Sequence, residues 1–256
     1  MASNQNSRIE DAGNRMKPLN ATPLTYFYMS RPAPCPYLPG RMEQMVFTEL
    51  TSLNDGEAVH DQLSRAGFRR SQGVAYKPSC RACQACIPVR IRANDLVWTK
   101  AWRRVMRQNE GIVGRELPAT ALAEHYRLFR RYIQSRHGDG GMAAMSFDDY
   151  AAMVQDSPVR SRMFEYRNAD GELYGACLSD VLDDGLSLVY SYFDPDFADR
   201  SPGSFIILWH VRQAVLRGLP YVYLGYWIAE SRKMAYKTRF KPVEILTPHG
   251  WRDLPN

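Results

Sequence analysis

Long apolar runs are missing from this chain of 256 residues. No stretch approaches the roughly 18 consecutive apolar residues that a membrane-spanning helix needs. The first 20 residues, MASNQNSRIEDAGNRMKPLN, hold no apolar core of any length. Such a start lacks the apolar run of a signal peptide, and a flexible tail over residues 1–20 is expected. A soluble, cytoplasmic protein with no membrane partner is expected. Thiols stay reduced there, so the 5 cysteines are free or metal-bound, not disulfides. Histidine is scarce, and no Ser-His-Asp arrangement is evident among 5 of them. An acidic surplus is absent too: 33 basic residues stand against 27 acidic ones, a net charge of +6. That balance suits a polyanionic partner such as nucleic acid without demanding one. The 45% hydrophobic and 12% aromatic content excludes a disordered chain and provides core for one large domain or two smaller ones.

Prolines at 32, 34, 36 and 39 forbid a regular helix around Cys35 and fit an extended segment. Residues 41–50 alternate as a strand, 61–66 make a short helix closed by Gly67, and 68–76 read as one further strand. Next comes KPSCRACQACIPVRIR, with Cys80, Cys83 and Cys86 in a C-x2-C-x2-C run. Thiolates at that spacing can wrap a soft ion, zinc or an iron-sulfur cluster, with a fourth ligand from Cys35 or His60. The competing reading is a tight turn whose small thiols pack inside, because closed zinc sites usually bring ligand pairs from separate loops. In residues 96–107 Trp98 and Trp102 interleave with basic residues, which can hold phosphates while rings stack on bases; core indoles beneath surface arginines explain the pattern equally well.

A linker containing Gly111, Gly114 and Pro118 suggests a boundary near residue 110, giving an N-terminal cysteine-bearing region over 21–110. Leu122, Tyr126, Phe129 and Ile133 share one face of a helix over 120–137, and 147–154 form a second. Residues 162–166, 173–179 and 186–193 are three strands joined by tight turns, so they should pair antiparallel. After Ser201-Pro202-Gly203-Ser204, a helix over 205–217 stops at Gly218 and leads to a strand at Tyr221. The helix start, with Ser201, Gly203 and Ser204, is a natural seat for an anion. YVYLGYWIAESRKMAYKTRFKP follows. Gly225 permits a tight turn or close approach of a ligand. A helix capped by Ser231 would carry Lys233, Lys237 and Lys241 at i, i+4 and i+8, a basic stripe that is either functional or merely a solvated face.

Antiparallel strands followed by that crossover resemble the acyltransferase fold of the GNAT superfamily. CPYLPGR at 35–41, CRACQACIPVRI at 80–91, SYFDPD at 191–196 and YLGYWIAESRKMAYKTRFKPVEIL at 223–246 resemble the bacterial aspartate/glutamate leucyltransferases, of the arginyl-tRNA-protein transferase family. The resemblance implies an α+β chain: a smaller cysteine-bearing α+β region, then a GNAT-like aminoacyltransferase domain with a mixed, largely antiparallel sheet over 111–246, then a C-terminal tail over 247–256. It implies an enzyme that moves leucine from leucyl-tRNA to the α-amine of proteins beginning with Asp or Glu, creating a destabilising N-terminus for N-end rule degradation. Eukaryotic relatives are thought to hold a metal or cluster through their cysteines. The S-P-G-S start departs from the family, where Leu and Thr are expected in place of Pro202 and Ser204.

An aminoacyl ester is already activated, so no cofactor is required: the amine must be positioned, its proton accepted and the oxyanion stabilised. Candidates are Lys233, Lys237 and Arg239 for the acceptor's acidic side chain and the acceptor arm of tRNA, and Tyr192, Tyr226 and Tyr236 for the ester or a proton relay. Asp194 would orient the amine, Trp227 and Met234 would receive the leucyl side chain, and Ser231 and Arg41 belong to the binding set. Open alternatives are an arginyl donor, a coenzyme A-dependent GNAT N-acetyltransferase, whose Q/R-x-x-G-x-G/A loop residues 199–204 echo only in part, and a non-catalytic metal-containing RNA-binding module.

Overall fold

Side chains alternate between the two faces of a strand, so a sheet whose strands are apolar on both sides needs a cover on each. The computed structural model describes residues 25–53, 55–138 and 141–255. The polar tail expected over 1–20 lies outside the described residues. In chain order the elements are β1 (Tyr28–Met29), β2 (Ala33–Pro34), β3 (Met42–Glu43), β4 (Met45–Glu49), α1 (Gly56–Arg65), β5 (Arg69–Ser71), β6 (Val74–Pro78), β7 (Ile87–Arg92), α2 (Lys100–Gln108) and β8 (Val113–Pro118). There follow α3 (Ala123–His137), α4 (Phe147–Gln155), β9 (Ser161–Arg167), β10 (Leu173–Leu182), β11 (Gly185–Phe193), α5 (Pro202–Leu216), β12 (Tyr221–Trp227), β13 (Val243–Thr247) and β14 (Gly250–Asp253).

An 8-stranded sheet runs β14-β13-β7-β12-β11-β10-β9-β8, and a 4-stranded sheet runs β1-β4-β6-β5. In the large sheet every pairing is antiparallel except β11 with β12, the pair that α5 connects. The chain is thus α+β with a mixed, largely antiparallel sheet. Along β10, Cys177 joins the core beneath α2 and α5 with Phe205, Val211 and Trp102, while Ala176 and Leu178 join a second core beneath α3 and α4 with Phe129, Ile133 and Tyr150. That strict alternation is the two-sided cover the pattern requires.

The expected boundary near residue 110 does not divide the sheets. Strand β7 lies between β12 and β13 in the large sheet. Val89 and Ile91 enter the core, and on the opposite face the Arg90 guanidinium sits 3.4 Å from the Tyr221 ring and 4.3 Å from that of Trp251. Residues 247–256 are likewise more than a tail, because β14 extends the sheet edge. Residues 68–76 form two strands rather than one: a turn with Gln72 at φ 50° folds β5 back on β6.

The basic helix departs furthest from expectation. Residues Arg232–Arg239 form a 3-10 helix, and Ser231 makes no capping hydrogen bond. With about three residues per turn, positions i and i+4 no longer share a face. Lys237 turns inward, 8% exposed, whereas Lys233 stays outside. Trp102, too, is a core side chain, stacked on Phe240 at 4.5 Å and 3°.

Candidate active site

Strands β11 and β12 are paired only at Gly185–Tyr221, Leu186–Val222 and Ser187–Tyr223. Beyond that point both bulge, at Val189 against β10 and at Leu224 against β7. A bulge bends its strand and breaks the ladder, so the two strands part. The opening is filled from outside the large sheet by Arg69 of β5. Successive carbonyls of a regular strand point opposite ways; the bulge directs those of Leu188 and Val189 to one side, and Arg69 Nη2 donates to both, at 2.9 and 3.0 Å. Across the gap Gly225 has φ +76°, and a Cβ there would overlap the guanidinium. The close approach allowed by this glycine is made by an arginine of the same chain.

Arg69 is held there by its neighbour. Arg70 points to the other side of the hairpin and forms a buried bidentate pair with Asp180 at 2.7 and 2.8 Å, with the Ser161 hydroxyl donating to the same carboxylate.

The parted strands open on a cavity of about 500 Å3. Met142, Met153, Leu188, Ile207, Leu224 and Met234 give it apolar lining, while Arg69, Lys233 and Lys237 bring positive charge, and among the described residues no Asp or Glu lines it. Lys237 Nζ donates to the Tyr226 carbonyl at 2.5 Å. Burial, reinforced by Arg69, depresses its pKa to about 7. Tyr236 lines the same cavity; the residue as a whole is 41% exposed, but its phenol lies where desolvation raises its pKa to about 12.

Tyr226 also faces this cavity, but its hydroxyl is engaged with the carbonyls of Gly67 and Tyr76 at 3.0 and 3.1 Å. The other candidates stand apart. Tyr192 is buried in the second core, where its hydroxyl meets that of Tyr150 at 2.7 Å. Asp194 accepts two hydrogen bonds from Arg131 and borders a different depression. Trp227 packs on the first core, and Ser231 is buried at the start of the 3-10 turn. Arg239 lies over Trp102, 5.1 Å from the ring. Ser201, with φ 56°, precedes α5; Gly203 and Ser204 lie in its first turn, and Ile207, one turn on, is the first α5 residue to reach the cavity.

A second cavity of about 810 Å3 shares Tyr37, Tyr76 and Tyr226 with the first and is lined by Cys35, Cys80, Cys83 and Cys86. Arg41 Nη1 donates to Cys83 Sγ at 3.2 Å, and the Gln44 amide to Cys80 Sγ at 3.4 Å. Burial and the neighbouring thiols raise Cys86 to about 11. His60 instead meets Ser64 at 3.3 Å and Asp180 at 3.5 Å. Among the described residues no group of three or more His, Cys, Asp and Glu is arranged to hold a metal ion. The thiols share a cavity without forming a ligand set, so the residues as placed do not fit zinc or a cluster.

Arg69 was absent from the residues singled out by sequence. A dibasic pair in a short strand carries no motif; the only signal was the glycine opposite it, whose need for a close neighbour was legible although the neighbour was not.

The chain matches the family description "Arginine-tRNA-protein transferase, C terminus" over residues 124–247 and "Arginine-tRNA-protein transferase, N terminus" over residues 33–104. It is 52% identical over 227 residues to a protein of Paramagnetospirillum magneticum named aspartate/glutamate leucyltransferase, covering 89% of this chain and 93% of that one. Proteins of the same name from Granulibacter bethesdensis (53% over 229 residues, 90% and 85% covered) and Maricaulis maris (51% over 232 residues, 91% and 91% covered) are similar to the same extent. Among solved structures it is similar to the C-terminal domain of a putative lysylphosphatidylglycerol synthetase from Agrobacterium fabrum, at 14% identity, TM-score 0.42, and 69% and 55% coverage.

Proposed function

The chain belongs to the arginine-tRNA-protein transferase family, and from that premise we propose that it transfers leucine from leucyl-tRNA to the α-amine of proteins that begin with Asp or Glu. Leucine as the donor group and acidic residues as acceptors follow the name carried by relatives that share half of its residues along nine-tenths of its length. The observation on the chain itself that supports this reading is the cavity between β11 and β12, whose walls combine cationic with methionine and aliphatic side chains and, among the described residues, carry no acidic one. An acidic acceptor residue and a leucyl side chain are the two chemistries such walls receive.

The ester of an aminoacyl-tRNA needs no further activation, so the residues act by position and charge. Lys233 and Lys237 face the acceptor, Met234 and its neighbours take the leucyl group, and Tyr236 is placed to hydrogen-bond the ester. Arg239, outside the cavity, faces tRNA. Tyr192, Asp194 and Trp227 support the fold around the site, and Tyr226 ties β12 to the N-terminal region. Transfer needs neither metal nor cofactor.

The test is incubation with labelled leucyl-tRNA, arginyl-tRNA or acetyl-coenzyme A, each with an Asp-starting peptide. Transfer of leucine is expected. Transfer of arginine alone would place the chain with the arginyl enzymes, transfer of acetyl alone with the N-acetyltransferases, and no transfer would favour a binding module.

A further inference from the structure

Adjacent arginines in β5 are treated in opposite ways. Arg70 is neutralised by Asp180 inside the fold. Arg69 has its Nη2 bound by two carbonyls and lines a cavity that, among the described residues, no Asp or Glu lines. A second basic group, Lys237, is buried beside it, and Arg69 adds to the cost of charging that amine. Positive charge withdrawn even partly from water without a counter-ion is unfavourable, and a protein normally supplies the partner. Here the fold supplies carbonyl dipoles to fix the guanidinium, and a glycine to admit it, but no anion among the described residues.

Resting on the leucyl-transfer reading above, we infer that Arg69 is the specificity-determining residue for the acceptor: its guanidinium, wedged between β11 and β12, receives the side-chain carboxylate of the N-terminal Asp or Glu, with Lys237 as the second cation. A guanidinium suits the role because it stays charged when partly buried, and with both Nη2 protons given to the Leu188 and Val189 carbonyls its Nη1 protons are left to donate to a carboxylate oxygen. Its position also fixes the geometry. Gripped at the gap between the strands, the side chain of the first residue brings its own α-amine into the cavity shared with Met234 and Tyr236. The site is thereby built jointly: Arg69 comes from the small N-terminal sheet, and Leu188, Leu224, Met234 and Lys237 come from the large sheet and the 3-10 turn after it, so neither part alone discriminates acceptors.

The experiment measures kcat/KM for leucine transfer to matched peptides beginning with Asp and with Asn, in the full chain and in Arg69→Gln and Arg69→Lys variants. The Asp-to-Asn ratio is internal to each preparation, so partial loss of folded protein cancels. The ratio is expected to fall by about 30-fold in Arg69→Gln, the weight of a charged hydrogen bond, and to survive in larger part in Arg69→Lys. An unchanged ratio in Arg69→Gln, with both peptides slowed equally or with a raised KM for leucyl-tRNA only, overturns the inference and gives Arg69 a structural or donor-side role. A wild-type protein that transfers leucine without preferring Asp over Asn overturns the acidic-acceptor reading itself.

Discussion

Arg70 and Asp180, 110 residues apart, meet through two hydrogen bonds of 2.7 and 2.8 Å with both side chains buried. The pair fastens the β5–β6 hairpin to β10 and so fixes where Arg69 enters the large sheet. Arg70→Met leaves a buried carboxylate unpaired and is expected to lower the unfolding free energy by about 3–5 kcal/mol. The double variant Arg70→Met/Asp180→Leu should regain much of that loss, because no lone charge remains. Urea denaturation of the three proteins checks both statements, and a single-variant loss under about 1 kcal/mol would mean that the pair does not anchor the hairpin.

Lys237 gives the protein an unusual response to alkaline pH. Its folded pKa of about 7 lies below the ordinary value of 10.5, so between those limits the unfolded chain carries a proton that the folded protein has released. Stability contributed by this site therefore rises with pH through that window, by at most about 1.4 kcal/mol per pH unit, and the full penalty applies below it. Lys237→Met is expected to be more stable than the parent at pH 7, with the difference shrinking toward pH 10, while transfer to Asp-starting peptides drops. Denaturation midpoints at successive pH values read the difference, and parallel curves for the two proteins would refute a depressed pKa.

The thiols differ in reactivity by environment. Backbone and Arg41 hydrogen bonds lower the Cys83 pKa, burial lifts Cys86 to about 11, and Cys177 is buried with its pKa raised to about 12. The thiolate is the reactive form, so limited iodoacetamide treatment at neutral pH should label Cys83 before Cys86, and Cys177 only after unfolding. Arg41→Ala should slow labelling of Cys83. Peptide mass spectrometry gives the order.

What the sequence made legible was what local pattern determines. Alternation placed β9, β10 and β11, helical period placed α3 and α4, and a helix stop at Gly218 placed the crossover. What it concealed depends on contacts between distant segments. Lys233, Lys237 and Lys241 satisfy an α-helical spacing, yet a carbonyl of β12 accepts the Lys237 proton and the segment winds as a 3-10 helix. IPVRIR read as part of a separate N-terminal region because chain order is not sheet order. Tyr192 illustrates a subtler limit: a tyrosine in a family motif cannot be assigned to core or cavity until its facing residue, here Tyr150, is known.

The outer side of the site carries the last consequence. Lys100, Arg103, Arg104 and Arg107 of α2 are exposed and form no ion pair among the described residues. Helix α2 is joined to the 3-10 turn by the Trp102–Phe240 stack and by Arg239 over Trp102. This surface is therefore continuous with the element that brings Lys233 and Lys237 to the cavity, which is where the acceptor arm of tRNA must run if its ester enters between β11 and β12. Phosphate contacts release counterions, so each lost contact lowers the slope of log K against log salt by about 1. Replacing Arg103, Arg104 and Arg107 together by Gln should weaken binding of leucyl-tRNA at low salt and flatten that slope by about 2–3, while the Asp-to-Asn acceptor ratio holds. Filter binding across a salt series measures it, and an unchanged slope would move the tRNA to another face.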